Sequence, residues 1–264
     1  MNQPTADTTT PPITASNIDT SLAVPATVAT VLDGDSFRAT VAGNDEEIRL
    51  LGINAPERGE CRSEAAADRL EDLVEGDPVL LVPDARDQFD RMLATAYLDD
   101  TGLDVGLILV WDGLAIALTV DHPDRFAYFE AERDAFVEGR GIWDRTGCGA
   151  GFEDSRVYVD FVESDPPGDD LAGEIVTLGN DGPTPADLSG WVLRDESSAN
   201  RYSIPSGTVL EPGGILTIWT GCGNDTAADL FWCADQPVWN NGGDAAFLLD
   251  PNGNIVSWFR YLGD

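Results

Sequence analysis

Apolar and polar positions alternate with a period of two along several short runs in the first half of the chain. These runs are "VPATVATVLDGDSFRATVAG" from Val24, "EEIRLLGI" from Glu46, "PVLLVPD" from Pro78 and "MLATAYLDD" from Met92. Bounded by Gly, Pro, Asn and Asp, such alternation predicts half-buried strands. Between them "SEAAADRLEDLV" carries apolar residues at helical spacing, with Ser63 as a candidate N-cap. "GLILVWDGLA" and "DRFAYFEAERDAFVEG" are two further helix candidates. Five strands with interposed and terminal helices suit a small closed β-barrel such as the OB-fold.

The pattern changes after "TGCGAGFEDS", which reads as a linker. Helical spacing stops there. "RVYVDFVES", "GEIVTLGN", "SGWVLRDE", "GGILTIWTG", "DAAFLLD" and "IVSWFRY" follow one another between turn signals, the pattern of an all-β sandwich. The Thr/Pro-rich start, "MNQPTADTTTPPITAS", predicts a disordered leader over residues 1–20. The expected division is therefore leader 1–20, barrel domain 21–146, linker 147–155 and sandwich 156–264. A chain of 264 residues can bury two cores of that size.

Charge changes the picture. Acidic residues outnumber basic ones by 48 to 15, and every basic residue is arginine. A net charge of −33 repels phosphates in dilute buffer. At about 1 M salt the Debye length falls to roughly 3 Å, and local arginines then decide binding. A carboxylate-rich, lysine-free surface is expected of a halophile's protein, so the charge is read as adaptation to solvent.

Cys61, Cys148, Cys222 and Cys233 contain no close CxxC pair, which argues against zinc. Their even number and the local pair in "GCGNDTAADLFWCAD" favour disulfides and an extracellular or cell-surface setting. Against that, no signal-like apolar stretch is visible, and no apolar run approaches the roughly 18 residues of a membrane span. Cys61–Cys148 would pin the segment after Glu57 to the end of the last helix; two separate buried thiols are the alternative.

The single histidine, His122, precedes Pro123 and is expected in a surface loop. A Ser–His–Asp triad is excluded, and no phosphate-binding or dinucleotide-binding glycine pattern occurs. What the barrel half does offer is carboxylates and arginines in order: Asp33 and Asp35 in "DGDS", Arg49, Asn54 and Glu57 in "RLLGINAPE", and Asp84, Asp87, Asp90 and Arg91 in "DARDQFDR". Each fragment alone reads as a turn, a strand exit or a solvated face.

In this order, with "LVWDGLA" and "GIWDR" after them, they closely resemble the thermonuclease, or staphylococcal-nuclease-like, family from about Val24 to Arg145. The resemblance implies an OB-fold endonuclease that hydrolyses phosphodiester bonds in DNA and RNA with Ca2+. Glu57 matches the family's general base, and Arg49 and Arg91 its two phosphate-binding arginines. Asp35 matches its metal-binding aspartate, and Asn54 stands where a second metal-binding aspartate is usual. The residue types suit the chemistry: a carboxylate can activate water, planar guanidinium forks hold phosphate oxygens in pairs, and calcium takes carboxylate and amide oxygens.

Three departures stand out. Asn54 removes one formal charge from the metal set. Ala55 replaces a common threonine. Thr119 and Asp121 lie where the best-known member has base-stacking tyrosines, although Phe89 keeps an aromatic beside Arg91. They motivate an alternative reading, a barrel that has lost turnover and binds nucleic acid or a partner.

The second half resembles the lamin-tail domain, an immunoglobulin-like sandwich, over about 156–261. Trp191, Trp219 and Trp239 would then be mostly packing residues, and Cys222–Cys233 would staple an excursion between strands. The resemblance suggests an accessory module that binds an unidentified surface or partner; a third reading makes that module the functional centre. With 19 acidic residues against four arginines after position 150, it is a poor DNA binder outside high salt.

Overall fold

The computed structural model describes residues 22–149, 156–197 and 199–263. The expected leader and, in the expected linker, residues 150–155 lie outside the described residues.

The alternating runs of the first half become β1 (Val24–Val31), β2 (Ser36–Val41), β3 (Asn44–Leu50) and a two-residue β4 (Ile53–Asn54). After α1 (Ser63–Val74) come β5 (Pro78–Arg86) and β6 (Met92–Leu98). Then follow α2 (Val105–Trp111), β7 (Ile116–Ala117) and α3 (Arg125–Glu138). Strands β1, β2, β3, β6 and β5 close into a barrel in that order, with β3 and β6 parallel. Closure removes every sheet edge, so inward residues such as Val28, Phe37, Ile48 and Leu81 are all buried. Helix α1 buries Ala66, Leu70 and Val74, one residue per turn of a single stripe.

Two local expectations are corrected. Ser63 is the first helical residue, not the cap. Arg62 holds the cap position with a left-handed backbone, and Ser63 Oγ donates to the Glu60 carbonyl at 2.8 Å. The turn Glu57–Glu60 brings the chain in already coiled, which turns the hydroxyl back onto the loop. His122 is buried rather than in a surface loop. Its ring packs edge-on to Tyr128 at 4.7 Å and covers Gly52, where φ is +79° and an added Cβ would meet the imidazole.

Asp104 caps α2 by accepting from the Leu107 amide, and its carboxyl also accepts from the Tyr128 hydroxyl. Burial pushes its pKa up to about 7, against the lowering effect of those donors. Between about pH 4 and pH 7 the unfolded chain ionises while folded Asp104 keeps its proton. Stability therefore falls as pH rises through that window and levels off above it. The shift corresponds to roughly 4 kcal/mol at most. Asp104→Asn keeps the shape and the acceptor; the variant is expected to flatten part of that fall and to be more stable at pH 8, as denaturant titrations across pH would show.

The second half is two packed four-stranded sheets and a separate two-stranded one. Its elements are β8 (Val157–Glu163), a single turn α4 (Asp170–Gly173), β9 (Ile175–Asn180), β10 (Ala186–Asp187) and β11 (Val192–Arg194). Then come β12 (Arg201–Ser203), β13 (Val209–Leu210), β14 (Ile215–Trp219), β15 (Asp229–Phe231), β16 (Gly243–Leu249) and β17 (Ile255–Leu262). One sheet runs β12-β11-β16-β17 and the other β15-β14-β9-β8, with Trp191 and Trp239 buried between them. Trp219 is partly buried at the sheet surface, donating to Asp229 and stacking on Phe231.

Strand β16 is buried along its whole length. Ala246 and Leu248 face the sandwich core, whereas Ala245, Phe247 and Leu249 face the barrel. Opposite them lie Ile116, Ala135, Ile142 and Trp143. Phe136 and Trp143 from the barrel side meet Trp258 at ring distances of 4.4 and 4.9 Å, and Phe247 closes the cluster. The seam also holds an ion pair. Arg260 on β17 reaches the buried Glu132 of α3, donates to the Ala117 carbonyl and lies over Phe129. Barrel and sandwich thus share a third apolar core.

Candidate active site

The site grows from three chain segments that the barrel brings to one corner. The "DGDS" turn between β1 and β2 is held by its own Asp33, which accepts from the Asp35 amide. Gly34 lets this turn approach closely: a Cβ there would come within 2.7 Å of both Ala55 and Ala66. Asp35 therefore points inward, nearly buried. Its Oδ1 accepts from Ser36 Oγ at 3.0 Å and its Oδ2 from the Ala55 amide at 2.7 Å.

Arg49, opposite Ser36 in the β2–β3 register, fills the corner. Its Nη1 donates to the carbonyls of Leu50 and Ile53, which fixes the guanidinium plane. Its Nη2 donates to Asn54 Oδ1 at 2.8 Å and lies 3.1 Å from Asp35 Oδ2. Burial pushes the Asp35 carboxyl up to about 6; Arg49 pulls it down but does not cancel the desolvation. The corner is thus one guanidinium shared between a carboxylate and an amide.

The other predicted residues flank it. Glu57 is exposed, three residues past Asn54, in a turn where its amide donates to Glu60 Oε2. Arg91 precedes β6, two residues before Leu93, the register partner of Arg49. Its Nε donates to Asp87 at 2.7 Å, and its guanidinium lies near the ring of Phe89, which is 71 % exposed. Burial raises Asp87, but the bonds from Arg91 and from the Phe89 amide outweigh it and hold the carboxyl below the usual range. Asp90, in a left-handed turn, pairs with Arg86 instead.

As for a cation, the hard oxygens of Asp35 and Asn54 are right in kind for calcium. They are few: among the described residues, no three acidic, histidine or cysteine side chains gather into a metal group. Backbone oxygens and water would have to complete the shell.

The sequence did not single out the residues that the sandwich brings to this corner. Asn54 Nδ2 donates 3.0 Å to the Glu196 carbonyl. The Glu196 carboxylate accepts from Thr119 through both its amide and its hydroxyl, and burial, reinforced by Asp244, pushes Glu196 up to about 7. Arg201 pairs with Glu60. Between these contacts lies a cleft of about 280 Å³ lined by Asn54, Pro56, Glu60, Arg194, Arg201 and Asn252, among others.

Two disulfides, Cys61–Cys148 and Cys222–Cys233, use all four cysteines. The first closes a separation of 87 residues directly behind the Glu57 turn. Replacing both of its cysteines by serine should cost up to about 4.6 kcal/mol on the chain-entropy account, measurable as a lower denaturant midpoint.

Comparison with known proteins agrees with this architecture. A family model described as staphylococcal nuclease homologue matches residues 47–145, and one described as lamin tail domain matches residues 153–263. A protein of Haemophilus influenzae named as an uncharacterized endonuclease is 30% identical over 117 residues, 44% of this chain and 64% of that protein. Another of that name from Escherichia coli O157:H7 is 30% identical over 116 residues, 44% of this chain and 74% of its own length. A micrococcal nuclease of Shigella flexneri is 29% identical over 124 residues, 44% of this chain and 71% of that protein. The chain thus spans about two thirds to three quarters of these relatives, and just under two thirds of the first. The chain belongs to the family of staphylococcal nuclease homologues, with a lamin tail domain as its second half.

Proposed function

We propose that the protein is a nuclease that hydrolyses phosphodiester bonds in DNA and RNA, assisted by calcium and working in concentrated salt. The observation that carries this reading is the Asp35–Arg49–Asn54 corner, with its fixed guanidinium, next to the turn bearing Glu57.

In this reading Glu57 takes the proton of the attacking water. Its exposure leaves the carboxylate able to reach solvent. Arg49 and Arg91 donate to the phosphate oxygens as charge builds on the phosphorane, where planar donors are most effective. With its plane held by the two carbonyls on Nη1, Arg49 would offer the phosphate the donor edge that those carbonyls leave open. Asp35 and Asn54 would hold calcium, which when bound neutralises phosphate charge and orients the water. Phe89 offers an exposed ring for a base. Eleven of the fifteen arginines form ion pairs among the described residues, so most positive charge is already matched locally.

A second reading, binding without turnover, draws on one feature: Arg49 is committed to four protein acceptors and Arg91 to Asp87. Gel assays on single- and double-stranded DNA and RNA, with calcium, magnesium or chelator in low and multimolar salt, separate the two. Calcium-dependent cleavage supports the nuclease. Retarded but uncut substrate under every condition supports the binder.

A further inference from the structure

The loop from Asn54 to Cys61, which carries Glu57, is gripped at both ends by the second domain. At its start, the Asn54 amide donates to the Glu196 carbonyl. At its end, Glu60 pairs with Arg201, and Cys61 is bonded to Cys148, whose amide donates to Asn254 Oδ1 at 3.0 Å. The shared apolar core around Trp143 and Phe247 keeps these grips in register.

We propose that the lamin tail domain is a positioning clamp on the catalytic loop, and that Asn54 is an amide because it must donate to that domain. The proposal rests on the nuclease reading for its effect on turnover. Asn54 faces two unlike groups at once, the Arg49 donor and the Glu196 acceptor. An amide serves both, since it carries one acceptor and two donor hydrogens. An aspartate would serve Arg49 and set a second oxygen against the Glu196 carbonyl, costing a buried acceptor its partner. Hence the residue that takes one charge from the metal set ties the second domain to the guanidinium of Arg49. In this account Arg201 is a positioning residue, and Asn54 positions the loop through its Nδ2 donor beside the calcium-holding role proposed for its oxygen.

The Glu60–Arg201 grip is unusual in its setting. Arg201 is the direct register partner of Arg194 across β11 and β12. Like charges facing each other across a sheet are unfavourable, and burial, followed by Arg201, pulls the Arg194 pKa down to about 10. Only four arginines follow position 150, and two of them stand side by side facing the loop that bears Glu57 and Glu60. The acidic loop is what such a pair would attract.

The test uses the full chain with Asn54→Asp, Arg201→Glu and Arg201→Lys; the lysine keeps a cation opposite Glu60 and leaves the Glu57–Glu60 turn bond intact. Amide hydrogen exchange over residues 54–61 is read without substrate; kcat and KM on a DNA oligonucleotide are read with calcium, per folded molecule. The clamp predicts about tenfold faster exchange of the loop in Asn54→Asp and in Arg201→Glu, the scale of one lost buried hydrogen bond. It also predicts a kcat lowered by a similar factor in those two variants with KM less changed, and retention of most of both properties in Arg201→Lys. Wild-type exchange in Asn54→Asp, or a rise in its kcat from the added carboxylate, would overturn the proposal. So would an Arg201→Lys variant no better than Arg201→Glu. If the wild-type chain shows no turnover, the nuclease reading fails by itself, and the exchange data still decide the clamp.

Discussion

Glu57→Gln is expected to lower kcat by about a hundredfold to ten-thousandfold, the usual worth of a positioned general base, with little change in KM. Glutamine is nearly isosteric, and the turn bond at this residue runs from its backbone amide to Glu60, which the substitution leaves alone. The side chain is exposed, so no buried partner loses a contact. The loss should therefore appear in turnover and not in stability. Steady-state rates beside a thermal melt check this. Equal melting and a rate within threefold of wild type would remove Glu57 from the mechanism.

The second large effect concerns the seam. Trp143 is 3 % exposed and touches residues of both halves: Phe136 on one side, Trp258 and Phe247 on the other. Truncating a buried tryptophan costs roughly 3–5 kcal/mol, and here the cavity opens between two domains. Trp143→Ala should turn a single unfolding transition into two, because the shared core is what couples barrel and sandwich. Calorimetry in multimolar salt reads this directly. A single transition with an unchanged midpoint would mean that the seam contributes little.

Much of this was legible because it depends on local pattern. The period-two runs placed the barrel strands, and the stripe of Ala66, Leu70 and Val74 placed α1, although its first residue, Ser63, was read as the cap. The corner was legible as a set of residue types in order, since Asp35, Arg49 and Asn54 lie within twenty residues. The contacts that join the halves were not. Thr119 and Glu196 are separated by 77 positions and Arg260 and Glu132 by 128, and no local pattern pairs such residues. One hint lay in "DAAFLLD": a continuous apolar run, unlike an alternating one, marks a strand buried on both faces. His122 misled for a related reason. A histidine before proline suggests a loop, which it is, but the loop is covered because Gly52 leaves room for its ring.

The account stands most directly on the calcium dependence of wild-type turnover. The measurement is the initial rate of cleavage of double-stranded DNA in multimolar salt as calcium is titrated, then removed with chelator and restored. The account predicts saturable activation, loss with chelator and full recovery on re-addition. Folded protein that cleaves nothing at any calcium concentration would contradict it.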